Sequence, residues 1–142
     1  MNPVIQEEMT GCGIASVAAI AGVSYALAQT AGASLGIFAS DPRLWSDTDH
    51  VRRLLAHFGY TAAPTQIPFA SWDALPALAL LAIKWRVIRN TPYWHWAVFL
   101  RDAHGPVVYD SKQALRNNVR RDFGRIKPKW FIEVKTKDEV GS

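Results

Sequence analysis

Only one cysteine, Cys12, stands among the 142 residues. No internal disulfide can form, and the fold must stand on its core alone. No apolar run reaches the roughly 18 to 20 residues that a helix needs to cross a bilayer. The nearest candidates, residues 15–23 and 75–83, are too short, and Pro76 interrupts the second. A secretory signal is missing too, since the segment before Cys12 contains Glu7 and Glu8 and no apolar core. Met9-Thr10-Gly11-Cys12 has the outline of a lipoprotein cleavage site without the apolar stretch such a site requires. These absences predict a cytoplasmic chain. Internal repeats, low-complexity tracts and linkers are also lacking, which predicts one domain over residues 1–142.

What is present is enough to build a core. Apolar residues make up 49% of the chain and six are Trp, a composition that excludes global disorder. The net charge of +4 is unevenly placed: residues 112–137 hold nine Lys or Arg against only Asp122 and Glu133. Such a stretch suits an acidic partner or nucleic acid. No zinc-finger spacing or RNA-binding aromatic motif accompanies it, so a solvated basic surface is the simpler expectation and nucleic acid is not an expected partner.

Helices dominate the first half. A first helix is predicted to start near Cys12 and stop at Gly22; its Ala, Ile and Val content implies burial on most sides. Ser24 is placed to cap a second helix ending near Ala33. Asp47 or Thr48 is placed to cap a third, with Val51, Leu54, Leu55 and Phe58 at core spacing and Gly59 at its end. Ser71 is placed to cap a short turn before Pro76. Strands are then predicted over 80–88, 94–101, 107–111 and 130–134, rich in β-branched and aromatic residues. Residues 113–123 read as a short helix or loop. Helices first and antiparallel strands later predict an α+β domain, with a helical half packed on a sheet.

A lone cysteine is ordinarily a small buried hydrophobe. Cys12, however, lies between Gly11 and Gly13, which permit close backbone approach, and it opens a predicted helix. The leading end of a helix favours negative charge, and the thiolate is the reactive form of a cysteine. A nucleophile needs a base, and the base needs orienting. Of the four histidines, His50 and His57 are seven residues apart on the third helix, about 10 Å along its axis and too far to share one metal. His104 lies beside Gly105 in a predicted turn. His95 sits among rings in Tyr93-Trp94-His95-Trp96, at the start of a strand. Alternation puts it on the face of Ala97 and Phe99, where the small Ala97 would let a helix approach, opposite Trp94 and Trp96.

Asp110 ends Val107-Val108-Tyr109-Asp110, a strand expected to pair with the one carrying His95. A connection turning around 101–104 sets His95 opposite Asp110. A tight turn at His104-Gly105 sets Asp110 opposite Phe99, about 13 Å from His95 along the strand. A bulge near Gly105-Pro106 decides between them. Gln6 completes the set, with an amide able to donate to an oxyanion beside the Cys12 N–H. Cys12, His95, Asp110 and Gln6 are therefore the expected catalytic residues, and Gly11, Gly13, Trp94 and Trp96 the expected substrate-binding ones.

Together these residues resemble the bacteriocin-leader-processing cysteine peptidases, the double-glycine peptidase family of the papain-like clan. That family has Gln, then Cys-Gly six residues later opening an apolar helix, a strand His some eighty residues on, and an Asp about fifteen further. Here they are Gln6, Cys12-Gly13 with Ile14-Ala15-Ser16-Val17, His95 in His95-Trp96-Ala97-Val98, and Asp110 in Val108-Tyr109-Asp110. The match covers about residues 4–111. The chain departs from the family in having Gly11 where Asp usually precedes the Cys, and Asp110-Ser111 where Asp-Pro is common.

The resemblance implies a papain-like fold and a Cys-His-Asp mechanism with Gln6 in the oxyanion hole and no metal or cofactor. It also implies a peptide or protein substrate with small residues, Gly-Gly or Gly-Ala, before the cut. An apolar groove would hold the leader helix, with Trp45, Trp72, Trp85 and Trp130 available to line it or to fill the core. Many relatives are fused to a membrane exporter and an ATPase; here an exporter would be encoded separately. The same residues serve an amidase, an isopeptidase or an acyltransferase acting on a Gly-ended acyl group. A non-catalytic peptide-binding module and a basic nucleic-acid-binding domain are the alternatives outside that chemistry.

Overall fold

The structure is a computed structural model that describes residues 1–136. Three helices lead the chain: α1 (Cys12–Ala21), α2 (Tyr25–Ser34) and, after a 3₁₀ turn at Pro42–Ser46, α3 (Asp49–His57). Seven strands follow: β1 (Tyr60–Ala62), β2 (Ile67–Pro68), β3 (Leu78–Ile88), β4 (Thr91–Asp102), β5 (Gly105–Asp110), β6 (Val119–Arg120) and β7 (Trp130–Thr136). They form an antiparallel sheet in the order β1-β7-β3-β4-β5-β6, with β2 also paired to β7. The class is α+β. Among the described residues no single helix is long and apolar enough to cross a membrane; α1 and α2 pass that test only together, across a 110° break.

Local chemistry explains the helix ends. Gly22 closes α1 in the left-handed region at φ 72°, a conformation that a β-carbon makes costly. Ser24 caps α2 by accepting from the Leu27 N–H at 3.1 Å. For α3 the capping carboxylate is that of Asp47, which accepts from the His50 N–H at 2.9 Å, whereas Thr48 makes no side-chain cap bond. The Ala74 N–H bonds to Ser71 Oγ at 3.2 Å, and the segment there is a turn rather than a helix. Residues 113–123 form a loop interrupted by the two-residue strand β6. β1, β2 and β6 are too short to leave a periodic trace in sequence.

The sheet has two covered faces. Leu80, Ala82, Trp94, Trp96, Val98 and Ile132 pack against the three helices. Ala79, Leu81, Ile83, Ala97, Phe99 and Val108 form the other side, covered by Ile126, Phe69, Trp72 and Phe123. The expectation that Ala97 admits a helix is therefore corrected. Loop aromatics fill that side instead, with Trp72 centred 5.1 Å from Phe69 and 4.8 Å from Phe123.

Neither expected β4–β5 register occurs. Asp110 pairs with Ala97, and the strands turn through Ala103-His104, with Asp102 opposite Gly105. Asp102 Oδ1 accepts from the His104 N–H at 2.8 Å, and Gly105 takes φ 93° to re-enter the ladder. His95 thus lies on the same face as Asp110, one diagonal step away, a separation that a long side chain can bridge. The opposite edge of β4 is irregular. Ile83 pairs with His95 and Arg86 with Tyr93, so β3 carries one extra residue, and Lys84 within it stands at φ 52°.

Candidate active site

Cys12 is the first residue of α1 and is part-exposed. It opens on a cleft of about 590 Å³ that His95 and Gln6 also line. The first N–H groups of an α-helix have no intrahelical acceptor, so the sulfur sits where backbone donors and the helix dipole favour negative charge. His95 approaches Asp110 through Nε2, 2.8 Å from Oδ1. That engagement leaves Nδ1 as the ring nitrogen available to the Cys12 sulfur.

Electrostatics reinforce the arrangement. Burial alone would lower the His95 pKa, but hydrogen bonds with Asp110 and Cys12 outweigh it and raise the value to about 9. Burial alone would raise the Asp110 pKa, but the His95 hydrogen bond and charge, the Lys112 N–H and Arg120 hold it at about 2. The carboxylate has no exposed surface. One oxygen serves His95 and the Lys112 N–H at 3.1 Å, and the other accepts from Arg120 Nη1 at 3.0 Å. Arg120 is held in turn by Asp122. Sequence reasoning missed Arg120, which was visible only as one cation in a basic run. Its place beside Asp110 depends on the short strand β6 pairing with β5.

Gln6 reaches the cleft, but its amide is otherwise engaged. Nε2 donates to the carbonyls of Glu8 and Met9 at 3.0 and 3.1 Å, which accounts for both of its hydrogens. Ser111 Oγ donates to Gln6 Oε1 at 2.8 Å, the Gln6 N–H donates to the Ser111 carbonyl at 3.0 Å, and Gln113 Nε2 donates to the Gln6 carbonyl at 2.6 Å. Ser111, which stood out in sequence only as a departure from Asp-Pro, orients the glutamine through a hydroxyl that proline lacks.

The expected substrate-binding residues divide. Trp94 lines the cleft. Gly11, Gly13 and Trp96 do not. Both glycines are buried: a methyl at 11 would strike the Tyr25 hydroxyl, and one at 13 would strike His50 Nε2 and lie 3.0 Å from Val51 Cγ1. Their smallness serves helix packing rather than a ligand. Trp96 is 1% exposed and packs edge to face with Trp94 and Trp130. Of the other aromatics, Trp45 lines the cleft, Trp72 covers the core and Trp85 is exposed. His50 is buried and bonded to Asp47, while His57 and His104 are exposed. Among the described residues no cluster of His, Cys, Asp and Glu could hold a metal ion. Compared with known protein families and with curated proteins, the chain matches none.

Proposed function

We propose that the chain is a cysteine peptidase of papain-like fold that cleaves a peptide or protein after small residues of the Gly-Gly type. The observation that carries this reading is the shared cleft: a part-exposed thiol at a helix's leading end, with an imidazole whose far nitrogen is held by a buried carboxylate. His95 accepts the Cys12 proton and the thiolate attacks the scissile carbonyl. The Cys12 N–H stabilises the oxyanion, His95 protonates the leaving amine, and water releases the acyl group. Asp110 fixes the ring and its tautomer. Gln6 contributes by gripping the carbonyls of Glu8 and Met9, which sets the loop leading into α1. Leu44, Trp45, Tyr93 and Trp94 give the cleft an apolar wall, with Trp45 and Tyr93 edge to face at 6.0 Å.

Two measurements test the proposal. Iodoacetamide is expected to label the folded protein rapidly near pH 6, where a thiol of ordinary pKa, about 8.5, is almost wholly protonated. With one cysteine in the chain, a single mass increment identifies the site. A peptide with Gly-Gly before the cut is expected to be cleaved by the wild type and at least about 10⁴-fold more slowly by Cys12→Ala. Undiminished cleavage by Cys12→Ala would end the proposal.

A further inference from the structure

The cleft beside Cys12 is electrically lopsided. Glu7 and Glu8 lie on the segment entering α1, and Glu8 is already held by the Tyr25 hydroxyl and by Gln29. The same lining includes Lys84, Arg86 and Lys112. Lys84 and Lys112 come from different parts of the chain, and each is set by a feature of the site. Lys84 stands in the β3 bulge at φ 52°, a conformation that a non-glycine side chain adopts at a cost, immediately after the residue paired with His95. Lys112 is placed by its own N–H on Asp110 Oδ1. Partial burial and the neighbouring Lys112 ammonium lower the Lys84 pKa, so the two cations lie within each other's field. Among the described residues neither forms an ion pair with a carboxylate.

Lys84 feels the Asp110 carboxylate, but both oxygens of that carboxylate are already bonded, to His95, the Lys112 N–H and Arg120, so it offers neither ammonium an ion pair. Two exposed like charges remain together with a place for an anion. The charge does not end at the cleft. Lys84 also borders a second hollow of about 340 Å³, lined by Arg120, Arg125, Lys127 and Lys129 and by no acidic residue. An anionic chain leaving the cleft over Lys84 would meet cations and apolar side chains, and no carboxylate in that lining.

We infer that Lys84 and Lys112 form an anion subsite for a carboxylate of the peptide substrate, adjacent to the bond that Cys12 attacks. The inference deepens the peptidase reading and rests on it for the identity of the ligand. The carboxylate comes either from an acidic side chain or from the substrate's own C-terminus; both present the same group to two ammoniums. On this view the basic run after Lys112 is a continuation of the substrate path rather than general surface charge.

The test uses the full chain and two alkylating reagents of nearly equal size, neutral iodoacetamide and anionic iodoacetate. The observable is the ratio of their rates at Cys12, so changes in intrinsic thiol reactivity cancel. The iodoacetate-to-iodoacetamide ratio is expected to fall about fivefold or more in Lys84→Gln/Lys112→Gln, and to fall in the wild type as salt is raised. A ratio that is unchanged in the double variant overturns the subsite. Slow iodoacetamide labelling near pH 6 in the wild type counts instead against the peptidase reading, so the two failures are separable.

Three peptides then locate the carboxylate by protecting Cys12 from iodoacetamide: Gly-Gly-Asp-amide, Gly-Gly-Asn-amide and Gly-Gly-Asn with a free C-terminus. Stronger protection by the Asp amide assigns the side chain, and stronger protection by the free acid assigns the terminus. Either preference is expected to vanish in the double variant. Equal protection by all three, no protection by any, or protection by an oligothymidylate in place of the peptides overturns the assignment.

Discussion

At the level of single residues, the most informative atom is Asp110 Oδ1, which touches both the imidazole and the backbone that follows. Asp110→Asn removes the charge that helps to hold the His95 pKa near 9. The expected result is a descending alkaline limb, in the pH profile of peptide cleavage, where the imidazolium must protonate the leaving amine, displaced downward by more than one unit. Peptide cleavage should fall by about 10²- to 10⁴-fold, as when a triad histidine loses its orienting carboxylate. An unmoved limb would show that the carboxylate does not govern the ring. The identities of Cys12, His95 and Asp110 were legible in the sequence because each residue type has a restricted chemical repertoire and a local setting that suits it. Arg120 and Lys84 were not legible. A cation in a basic run carries no mark of its partner, and the conformation that turns Lys84 toward the cleft is a property of mispaired strands.

Elements decide what residues cannot. The hairpin joining β4 to β5 had two plausible registers from sequence and adopts a third, because Asp102, Ala103, His104 and Gly105 together make a turn of their own. A two-residue slip leaves the side-chain face unchanged, so the pairing of His95 with Asp110 survives as a diagonal contact. Helix limits were easier to read, since Gly22, Ser24 and Asp47 act within a few residues of themselves. The N-terminal segment is fastened to the end of β5 by three hydrogen bonds between Gln6 and residues 111–113. Ser111→Ala strands the buried Gln6 Oε1 and is expected to cost about 1–3 kcal/mol in stability. It should also slow Cys12 labelling more than a distant substitution of equal cost, because the glutamine then loses its hold on the loop before α1. Equal labelling rates at matched stability would count against that coupling.

For the whole molecule, the two displaced pKa values define a window of stability. His95 is raised from 6.5 to about 9, so its contribution is complete below about pH 6.5 and is lost as pH climbs through about 9. Asp110 is lowered from 3.8 to about 2, so its contribution is complete above about pH 4 and is lost as pH falls toward about 2. Asp47, lowered to about 2 by its hydrogen bonds with His50, adds to the acid limb. Thermal midpoints measured from pH 2 to 10 should therefore peak between about 4 and 6.5, and Asp110→Asn should weaken both limbs. A midpoint that rises steadily past pH 8 would contradict the assignment of a protonated His95 in the folded state. The basic stretch, read from sequence as a solvated surface, borders the cleft through Lys112 and the adjoining hollow through Arg120, Arg125, Lys127 and Lys129. Its last member, Lys137, lies outside the described residues.

The fastening of Gln6 to Ser111 spans 105 positions of chain. Topologically it closes a ring, the office that a cystine bridge performs in many small secreted proteins. This ring is reversible and indifferent to glutathione, so temperature and cosolvent, rather than the redox poise of the surroundings, set how often it comes undone. The sole thiol is thereby left free of any crosslinking duty.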